Sequence, residues 1–482
     1  MFKKVFNSWW HVLLWIFIFT YIAYFSTFTI LRFRHLYAEY FDLGIMQHTV
    51  YNTYQAIKTG DWSRFLELTA PYGGGEQIKR MAIHNDIILA PLALFYFLHA
   101  GPETLLILQT IVLALGAWVV FKISKLLLKH DFLSFAFAFA YLMYAPMQRA
   151  NIFEFHAVTF ATTFILFMFY FWLKGKIRWS LLFLILALIT KEEVGLTLGM
   201  FGLYMTYRRY RRNVRYPSEH NSLFLPMLIT IISWGWALIS VFWIAPAFRG
   251  SQHFATHYYD SLFSNAVGYI FNKSTLDYFF YLLGPIAFLT LLAPEFILIS
   301  SPELAINLFS SNMQLRSLYF QYTSVIQPWV FIGVIYGAHK ILRWKIPSIQ
   351  RYIGLFIILL SLMFNYLKGP LPYSAEKNVD PWLYDRKGEY EIVKTWQTIV
   401  AADTIKVSST DQIAPFFTSR RYFYIFSLDY KKADYVILSL SNIQFSYRTE
   451  VKPAYEELKK NSMFEKVFDQ NGYEVYKKKI YK

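Results

Sequence analysis

Carboxylates, histidines and basic side chains recur in short groups along a chain that is otherwise strongly apolar. Such groups could move a proton during group transfer, and carboxylate oxygens are ligands that suit Mg²⁺ or Mn²⁺. Ionisable groups close to membrane spans are costly, so each one is a functional candidate by default. The candidates are Asp42, His48, His84, Asp86, Glu154, His156, Lys191, Glu192, Glu193, His253, His257 and Arg316.

Several candidates also have a purely structural interpretation. Asp42 could cap a helix that begins at Leu43, because an aspartate oxygen accepts main-chain N–H groups at a helix start. His84 and Asp86 could cap the apolar segment that follows them in the same way.

Other candidates have different alternatives. Glu154 and His156 could be ordinary interfacial residues, and 191–193 could be a local turn with ion pairing. His253 and His257 have helical i, i+4 spacing, but the glutamate of a zinc-binding helix motif is missing between them. The sequence therefore names candidate groups and leaves their roles open.

The composition indicates where these groups lie. Of 482 residues, 56% are hydrophobic and 16% are charged, against about 25% charged in ordinary soluble domains. This balance predicts many membrane helices, each of about 20 apolar residues. The absence of cysteine excludes disulfides, zinc–thiolate sites and cysteine nucleophiles.

The net charge of +16 needs no nucleic-acid partner. Most of the basic excess lies between apolar segments of residues 1–367, and cytoplasmic loops of membrane proteins are enriched in Lys and Arg. We therefore predict a lipid bilayer, and no nucleic acid, as the environment of this chain.

Apolar runs predict about eleven membrane spans. The first run follows Lys3 and Lys4 and has no signal-peptide cleavage site, so it is predicted to be a retained anchor with a cytoplasmic N-terminus. Several later runs are short for a bilayer crossing. The runs are 9–31, 102–121, 132–148, 157–173, 179–190, 194–207, 223–245, 276–293, 295–309, 323–341 and 349–367.

Basic loops support this alternation. Stepping through the eleven spans places four basic groups on the cytoplasmic side, at 122–129, 174–178, 208–215 and 340–351. Arg32 and Arg34, just outside the first span, are exceptions to this bias. The segment 32–101 is then a long outer loop, and its short apolar run 86–98 is predicted to lie in the outer membrane interface.

After Lys368 the composition changes to a small α/β domain, residues 368–482, which an odd number of spans places outside the cytoplasm. A helix is predicted at 389–401, and strands at 405–408, 422–427 and 434–440. Two further strands, 464–468 and 473–476, flank Asn471-Gly472, which is a strong signal for a two-residue hairpin.

Several motifs resemble those of a family of predicted integral-membrane proteins from bacteria and archaea, which is similar in layout to the GT-C glycosyltransferases. The resemblance covers nearly the whole chain. This chain has Glu154 where relatives often have aspartate, and Gln321-Tyr322 where they often have His-Tyr. The motifs are Phe41-Asp42-Leu43-Gly44-Ile45, His84 ahead of Pro91-Leu92, Phe153-Glu154-Phe155-His156, Lys191-Glu192-Glu193, and 302–308 followed by Arg316.

The resemblance implies a multi-pass α-helical fold with an acidic residue in the first outer loop, where Asp42 stands. It implies a polyprenyl-phosphate sugar donor, and Asp42, Glu154 and His156 as the catalytic group. His84, Lys191, Glu192, Arg316, Gln321 and Tyr322 are the predicted substrate-binding residues. Asp42, Glu154 and Glu193 would hold Mg²⁺ or Mn²⁺.

We therefore predict a cell-membrane glycosyltransferase that uses a lipid-phosphate donor at the outer face. A lipid or solute transporter or flippase is the second hypothesis, although such proteins often carry inverted repeats, and none is visible here. A non-catalytic assembly protein that binds partners through residues 368–482 is the third.

Overall fold

The computed structural model describes residues 9–216, 222–252, 268, 270, 272–376, 382 and 386–479. Helices dominate its first three quarters, and several of them are long and apolar. They are α1 (Trp9–Arg34), α2 (Ile45–Thr59), α3 (Pro102–Leu128), α4 (Asp131–Leu142), α5 (Ala145–Ile152), α6 (Thr159–Leu173), α7 (Ile177–Leu188), α8 (Val194–Arg215), α9 (Phe224–Ile239), α10 (Lys273–Leu283), α11 (Pro294–Ile299), α12 (Ser301–Phe309), α13 (Gln327–Leu342) and α14 (Ile349–Lys368).

Among the described residues, four helices are long and apolar enough to cross a membrane: Trp9–Arg34, Pro102–Leu128, Phe224–Arg249 and Ile349–Lys368. Every predicted apolar run contains helix, but several of these helices are shorter than a span. In the run 295–309, the break between α11 and α12 comes just before Pro302, because proline cannot continue a helix that precedes it. The structure therefore supports a multi-span helical protein and does not establish the count of eleven.

Close packing joins α8 to α9. A methyl group at Gly195 would collide with the carbonyl oxygen of Ser233, and one at Gly199 would collide with the Trp234 ring. Small residues at these positions let the two helix backbones approach each other. Through this contact the loop before α8, which carries Lys191, is held near the second half of α9.

The basic end of α3 lies away from the candidate groups. On α3, Gln109 near the start accepts a hydrogen bond from the His156 main-chain N–H at 2.8 Å. Near the other end, Phe121 stacks on His11 with ring centroids 4.7 Å apart, and Lys125 is paired with Asp131. The candidate groups and the basic side chains of α3 are therefore at opposite ends of this helix.

The segment between α1 and α3 carries α2, a two-stranded antiparallel sheet of β1 (Glu67–Thr69) and β2 (Gln77–Lys79), and a short helical stretch at 89–97. The predicted interfacial run 86–98 falls on this stretch. Leu94, Phe95, Phe97 and Leu98 are exposed there, Leu98 to 86%. An exposed apolar group of this kind fits a segment that rests on a membrane surface.

The C-terminal part contains α15 (Lys387–Ile399), β3 (Val407–Ser409), β4 (Phe423–Ile425), β5 (Tyr435–Ser439), α16 (Val451–Lys460), β6 (Phe464–Gln470) and β7 (Tyr473–Lys478). Its strands form a five-stranded mixed sheet with the order β4-β3-β5-β7-β6. The predicted hairpin is confirmed: Asn471 and Gly472 have φ of 53° and 78°, as a type I′ turn requires.

The sheet packs directly on the segment that follows α1. Arg64 forms a bidentate pair with Asp403, with N–O distances of 2.6 and 2.9 Å. Phe33 stacks on Phe416 with ring centroids 4.2 Å apart. These contacts fix residues 40–44, which carry Asp42, between the helical bundle and the C-terminal sheet.

Candidate functional site

A hydrogen bond between Asp42 and His156 forms the centre of the candidate site. Asp42 Oδ1 and His156 Nε2 are 2.9 Å apart. Asp42 lies in one turn of π-helix, Tyr40–Gly44, that runs into α2, and His156 follows α5. The Asp42 side chain is 29% exposed, whereas that of His156 is 6% exposed, so the carboxylate is the accessible member of the pair.

The proton of His156 fits on Nε2. His156 Nδ1 is buried and has no hydrogen-bond partner within the described part of the chain. A proton on Nδ1 would be a buried donor without an acceptor, which is costly. With the proton on Nε2, the imidazole donates to Asp42 and holds one of its oxygens.

Glu154 supports the turn that carries Asp42. Its Oε1 accepts the main-chain N–H of Glu39, and its Oε2 accepts that of Leu43, both at 2.9 Å. Asp411, from the C-terminal sheet region, accepts the N–H of Tyr40 at 2.8 Å. The interpretation of Asp42 as the helix cap is wrong, because Asp42 lies inside the helical turn and the N–H groups of Gly44 and Ile45 are accepted by main-chain carbonyls.

The backbone of Glu154 is strained. Its φ is 133°, a region that is almost restricted to glycine and costs about 1–3 kcal/mol for another residue. Gln109 holds the strained segment in place: its Nε2 donates to the Glu154 carbonyl at 2.6 Å, and its Oε1 accepts the His156 N–H. Burial, followed by repulsion from Asp42, raises the pKa of the Glu154 carboxyl well above its usual range.

Gln109 was missed by the sequence analysis. It is a fully buried amide within the apolar helix α3, and a buried amide needs partners. The sequence signal that could have identified Gln109 was a single polar residue in an apolar run.

Glu192 joins a second pair of segments. Its Oε1 lies 2.7 Å from His84 Nδ1, and its Oε2 accepts the N–H of Asn85 at 2.9 Å. Burial lowers the pKa of His84, and the neighbouring Glu192 carboxylate opposes that change. These contacts fasten the loop after β2 to the loop between α7 and α8.

Lys191 and Glu193 form an ion pair of 2.7 Å in the same loop. Burial alone would lower the pKa of Lys191, but the carboxylates of Glu193 and Glu192 outweigh it and raise that pKa. Lys191 therefore carries a positive charge. The predicted ion-paired turn is present, and Glu192 adds a long-range contact to it.

These groups surround one cavity of about 670 Å³. Its polar wall includes Asp42, His84, His156, Lys191, Glu192, Glu193, Gln321 and Tyr322, together with the buried Glu303. Its apolar wall includes Ala237, Leu238, Val241 and Phe242, on α9 and the π-turn that follows it. Leu238 is 48% exposed and Phe242 61% exposed, so the apolar wall reaches the outer surface of the bundle.

Two arginines on this cavity were not among the predicted site residues. Arg80 forms a buried bidentate pair with Asp86, with N–O distances of 2.8 Å. Arg249 lies over the Tyr72 ring, with its guanidinium carbon 4.7 Å from the ring centroid. Arg80 lies four residues before His84, and Arg249 lies outside the motifs.

Not every predicted residue lines this cavity. Within the described chain, Glu154 lies behind Asp42 instead of in the lining, and Arg316 lines a second cavity. His48 is buried on α2 with Nε2 3.1 Å from the Arg421 carbonyl, and burial lowers its pKa to about 4. His253 and His257 lie outside the described residues.

A family described as predicted membrane proteins, DUF2079, matches residues 32–475. The chain belongs to the DUF2079 family. The matched range begins at the end of α1 and reaches into β7, so it includes the whole lining of the cavity and most of the C-terminal sheet. No curated protein matches this DUF2079 chain.

The predicted metal ligands of this DUF2079 protein do not form a ready three-carboxylate site. Both oxygens of Glu154 accept main-chain N–H groups, and Glu193 is paired with Lys191. Among the described residues, no group of three or more His, Asp or Glu side chains is placed to hold a metal ion.

Proposed function

We propose that this DUF2079 protein is a membrane glycosyltransferase of GT-C type, which moves a sugar from a polyprenyl-phosphate donor to an acceptor at the outer membrane face. One observation carries the proposal: a single cavity combines an accessible carboxylate, positively charged side chains and an apolar wall open to the surface of the bundle.

The donor has an apolar chain and a charged phosphate, and the cavity has an apolar wall and a polar wall to match. An isoprenoid chain can lie against Leu238 and Phe242, where burying apolar surface is favourable by about 25 cal/mol per Å². The phosphate then reaches the polar wall, where Lys191 and Arg249 supply positive charge. Basic groups that meet a departing phosphate stabilise charge that develops in the transition state.

Asp42 is assigned as the general base. As the acceptor hydroxyl attacks the anomeric carbon, Asp42 takes its proton, the new C–O bond forms, and the bond from the anomeric carbon to the phosphate oxygen breaks. The phosphate leaves with that electron pair. His156 orients the base by donating to Asp42 Oδ1.

The remaining predicted residues receive supporting roles. Glu154 is a positioning residue because it accepts the N–H groups of the turn that carries Asp42. His84 and Glu192 hold two loops of the cavity together, and Gln321 and Tyr322 line its far wall. We derive no step through a metal ion, because the predicted carboxylates are already engaged by the chain.

We also propose the eleven-span topology in the cytoplasmic membrane. The N-terminus would be cytoplasmic, and the C-terminal sheet would be outside. The separation of the basic end of α3 from the candidate groups supports this orientation, since basic residues favour the cytoplasmic side.

The direct test is to incubate the purified full-length protein, in detergent with added lipid, with polyprenyl-phosphate sugars and an acceptor panel. Nucleotide sugars serve as the control donors. Transfer from the lipid donors alone is the expected result. Donor binding without transfer would favour the transporter or flippase hypothesis, and neither binding nor transfer across the panel would favour the assembly hypothesis.

A further inference from the structure

A second cavity, of about 450 Å³, lies at the outer ends of α5, α10 and α14. Four basic side chains and one acidic side chain are among the described residues that line it. The basic residues are Arg149, Lys273, Arg316 and Lys368, and the acidic residue is Asp277. Arg149 and Arg316 are both buried, so their charges require negative partners nearby.

One carboxylate, that of Glu376, sits among three donors from this lining. Arg149 Nη2 lies 3.4 Å from Glu376 Oε2. The Tyr319 hydroxyl donates to the same oxygen, and Lys368 Nζ is paired with Oε1. These donors come from three separate elements, α5, the 310–322 segment and the end of α14.

A structural role accounts for part of this arrangement. Arg149 Nε donates to the Lys368 carbonyl at 2.7 Å and Nη2 to the Gly369 carbonyl at 3.1 Å, so Arg149 satisfies carbonyls at the end of α14. That role does not explain why Lys368 and the Tyr319 hydroxyl converge on one carboxylate.

We infer that this second cavity binds a phosphate group, and that the Glu376 carboxylate holds the anion position in the present structure. Carboxylate and phosphate oxygens take the same charge-assisted bonds from guanidinium, ammonium and hydroxyl donors. A phosphate offers more negative charge and more acceptor oxygens than one carboxylate. Glu376 is partly exposed, so it can leave the donors without unfolding a core element.

The site is distinct from the proposed active cavity and does not rest on the glycosyl-transfer proposal. The 310–322 segment separates the two: Leu315 and Gln321 line the first cavity, whereas Arg316 and Tyr319 line the second. The phosphate could belong to a lipid headgroup, which Phe364 and Tyr281 on the wall would suit, or to a free ion.

The test measures phosphate binding by purified full-length protein in detergent, with two probes. Equilibrium dialysis with radiolabelled inorganic phosphate measures the free ion. Native mass spectrometry with phosphatidic acid, against phosphatidylcholine, measures the lipid. Glu376→Gln removes the competing charge and should tighten phosphate binding roughly five- to tenfold. Lys368→Gln should weaken it by about tenfold, and Tyr319→Phe by about threefold.

Lys340→Gln is the matched control, because Lys340 is a half-exposed lysine that is also paired with a glutamate, Glu295, and lines neither cavity. It should change binding less than about twofold. The Tyr319→Phe variant removes one hydroxyl and keeps the ring, so it protects the test against a Lys368 variant that fails to fold.

Each outcome decides the inference. Binding of both probes supports the site and shows that a free phosphate suffices, and binding of phosphatidic acid alone identifies a lipid headgroup as the source. Failure of both probes to bind the parent and Glu376→Gln would overturn the inference. Equal effects of Lys368→Gln and Lys340→Gln, with no effect of Tyr319→Phe, would do the same.

Discussion

Replacing Asp42 by asparagine tests the proposed base with little structural disturbance. The N–H groups of the Asp42 turn are accepted by Glu154 and Asp411, so no helix cap is lost. The asparagine oxygen can still accept a hydrogen bond from His156 Nε2. The lost charge assistance of that bond is worth about 1 kcal/mol.

Relief of repulsion offsets part of this loss. The Asp42 charge is one of the causes that raise the pKa values of Glu39 and Glu154, so removing it stabilises both neighbouring carboxylates. We therefore expect the unfolding free energy to change by no more than about 1 kcal/mol, and the melting temperature by about 2 °C.

The effect on chemistry should be far larger. Loss of a general base lowers the rate by about 10²–10⁴-fold, which corresponds to about 3–5 kcal/mol of activation free energy. The assay is transfer from polyprenyl-phosphate sugars by purified parent and Asp42→Asn protein at equal folded concentration. A large loss of rate with little loss of stability is the result that identifies Asp42 as a reacting group.

Asp61→Asn is the matched control. Asp61 lies in the same segment between α1 and α3 and accepts the N–H of Ser63 at 3.2 Å, and asparagine caps about as well as aspartate. This variant should keep parental activity. Full activity of Asp42→Asn would remove Asp42 from the mechanism, and equal losses in both variants would point to general damage to this segment.

Three further predictions concern topology, pH and metal. A reporter fused after Arg215 should be cytoplasmic and one after Lys482 external; finding both on one side would refute the eleven-span topology. Burial, followed by repulsion from the carboxylates of Asp411 and Asp42, raises the pKa of Glu39 from about 4.5 to about 7. Between these two pH values the folded protein keeps a proton on Glu39 that the unfolded chain has lost, so the folded state loses stability as the pH rises from about 4.5 to about 7. Glu39→Gln should therefore gain up to about 3 kcal/mol over the parent at pH 8 and little at pH 4, measured by thermal unfolding; a constant difference would contradict this. Chelation by EDTA should leave transfer within about twofold, whereas a tenfold loss restored by Mn²⁺ would favour the predicted metal ligands.

Local rules were sufficient for several elements. The hairpin at Asn471 was predictable because two adjacent residues with positive φ determine the turn. The strands of the C-terminal sheet and the long apolar helices follow from short-range patterns of the same kind. The span count was not predictable from such patterns, because a broken helix pair can cross, dip or lie inside the bundle with the same composition.

The candidate site required contacts that no local pattern encodes. Asp42 and His156 are 114 positions apart, and each could instead have made only local contacts at the end of its own helix. Glu154 was predicted as catalytic by its motif, but its carboxylate binds two main-chain N–H groups. Arg316 has the residue type of a phosphate ligand, yet the chain turns it into the second cavity.

The sequence by itself determined the apolar helices, the C-terminal strands and the residue types available for chemistry, since these depend on composition and on spacings of a few residues. Only the tertiary structure decided which polar groups meet. A buried carboxylate must find donors wherever the chain supplies them, and here Glu154 finds them on the Asp42 turn and Glu192 finds His84 and Asn85. Those long-range pairings leave Asp42 as the accessible carboxylate beside His156.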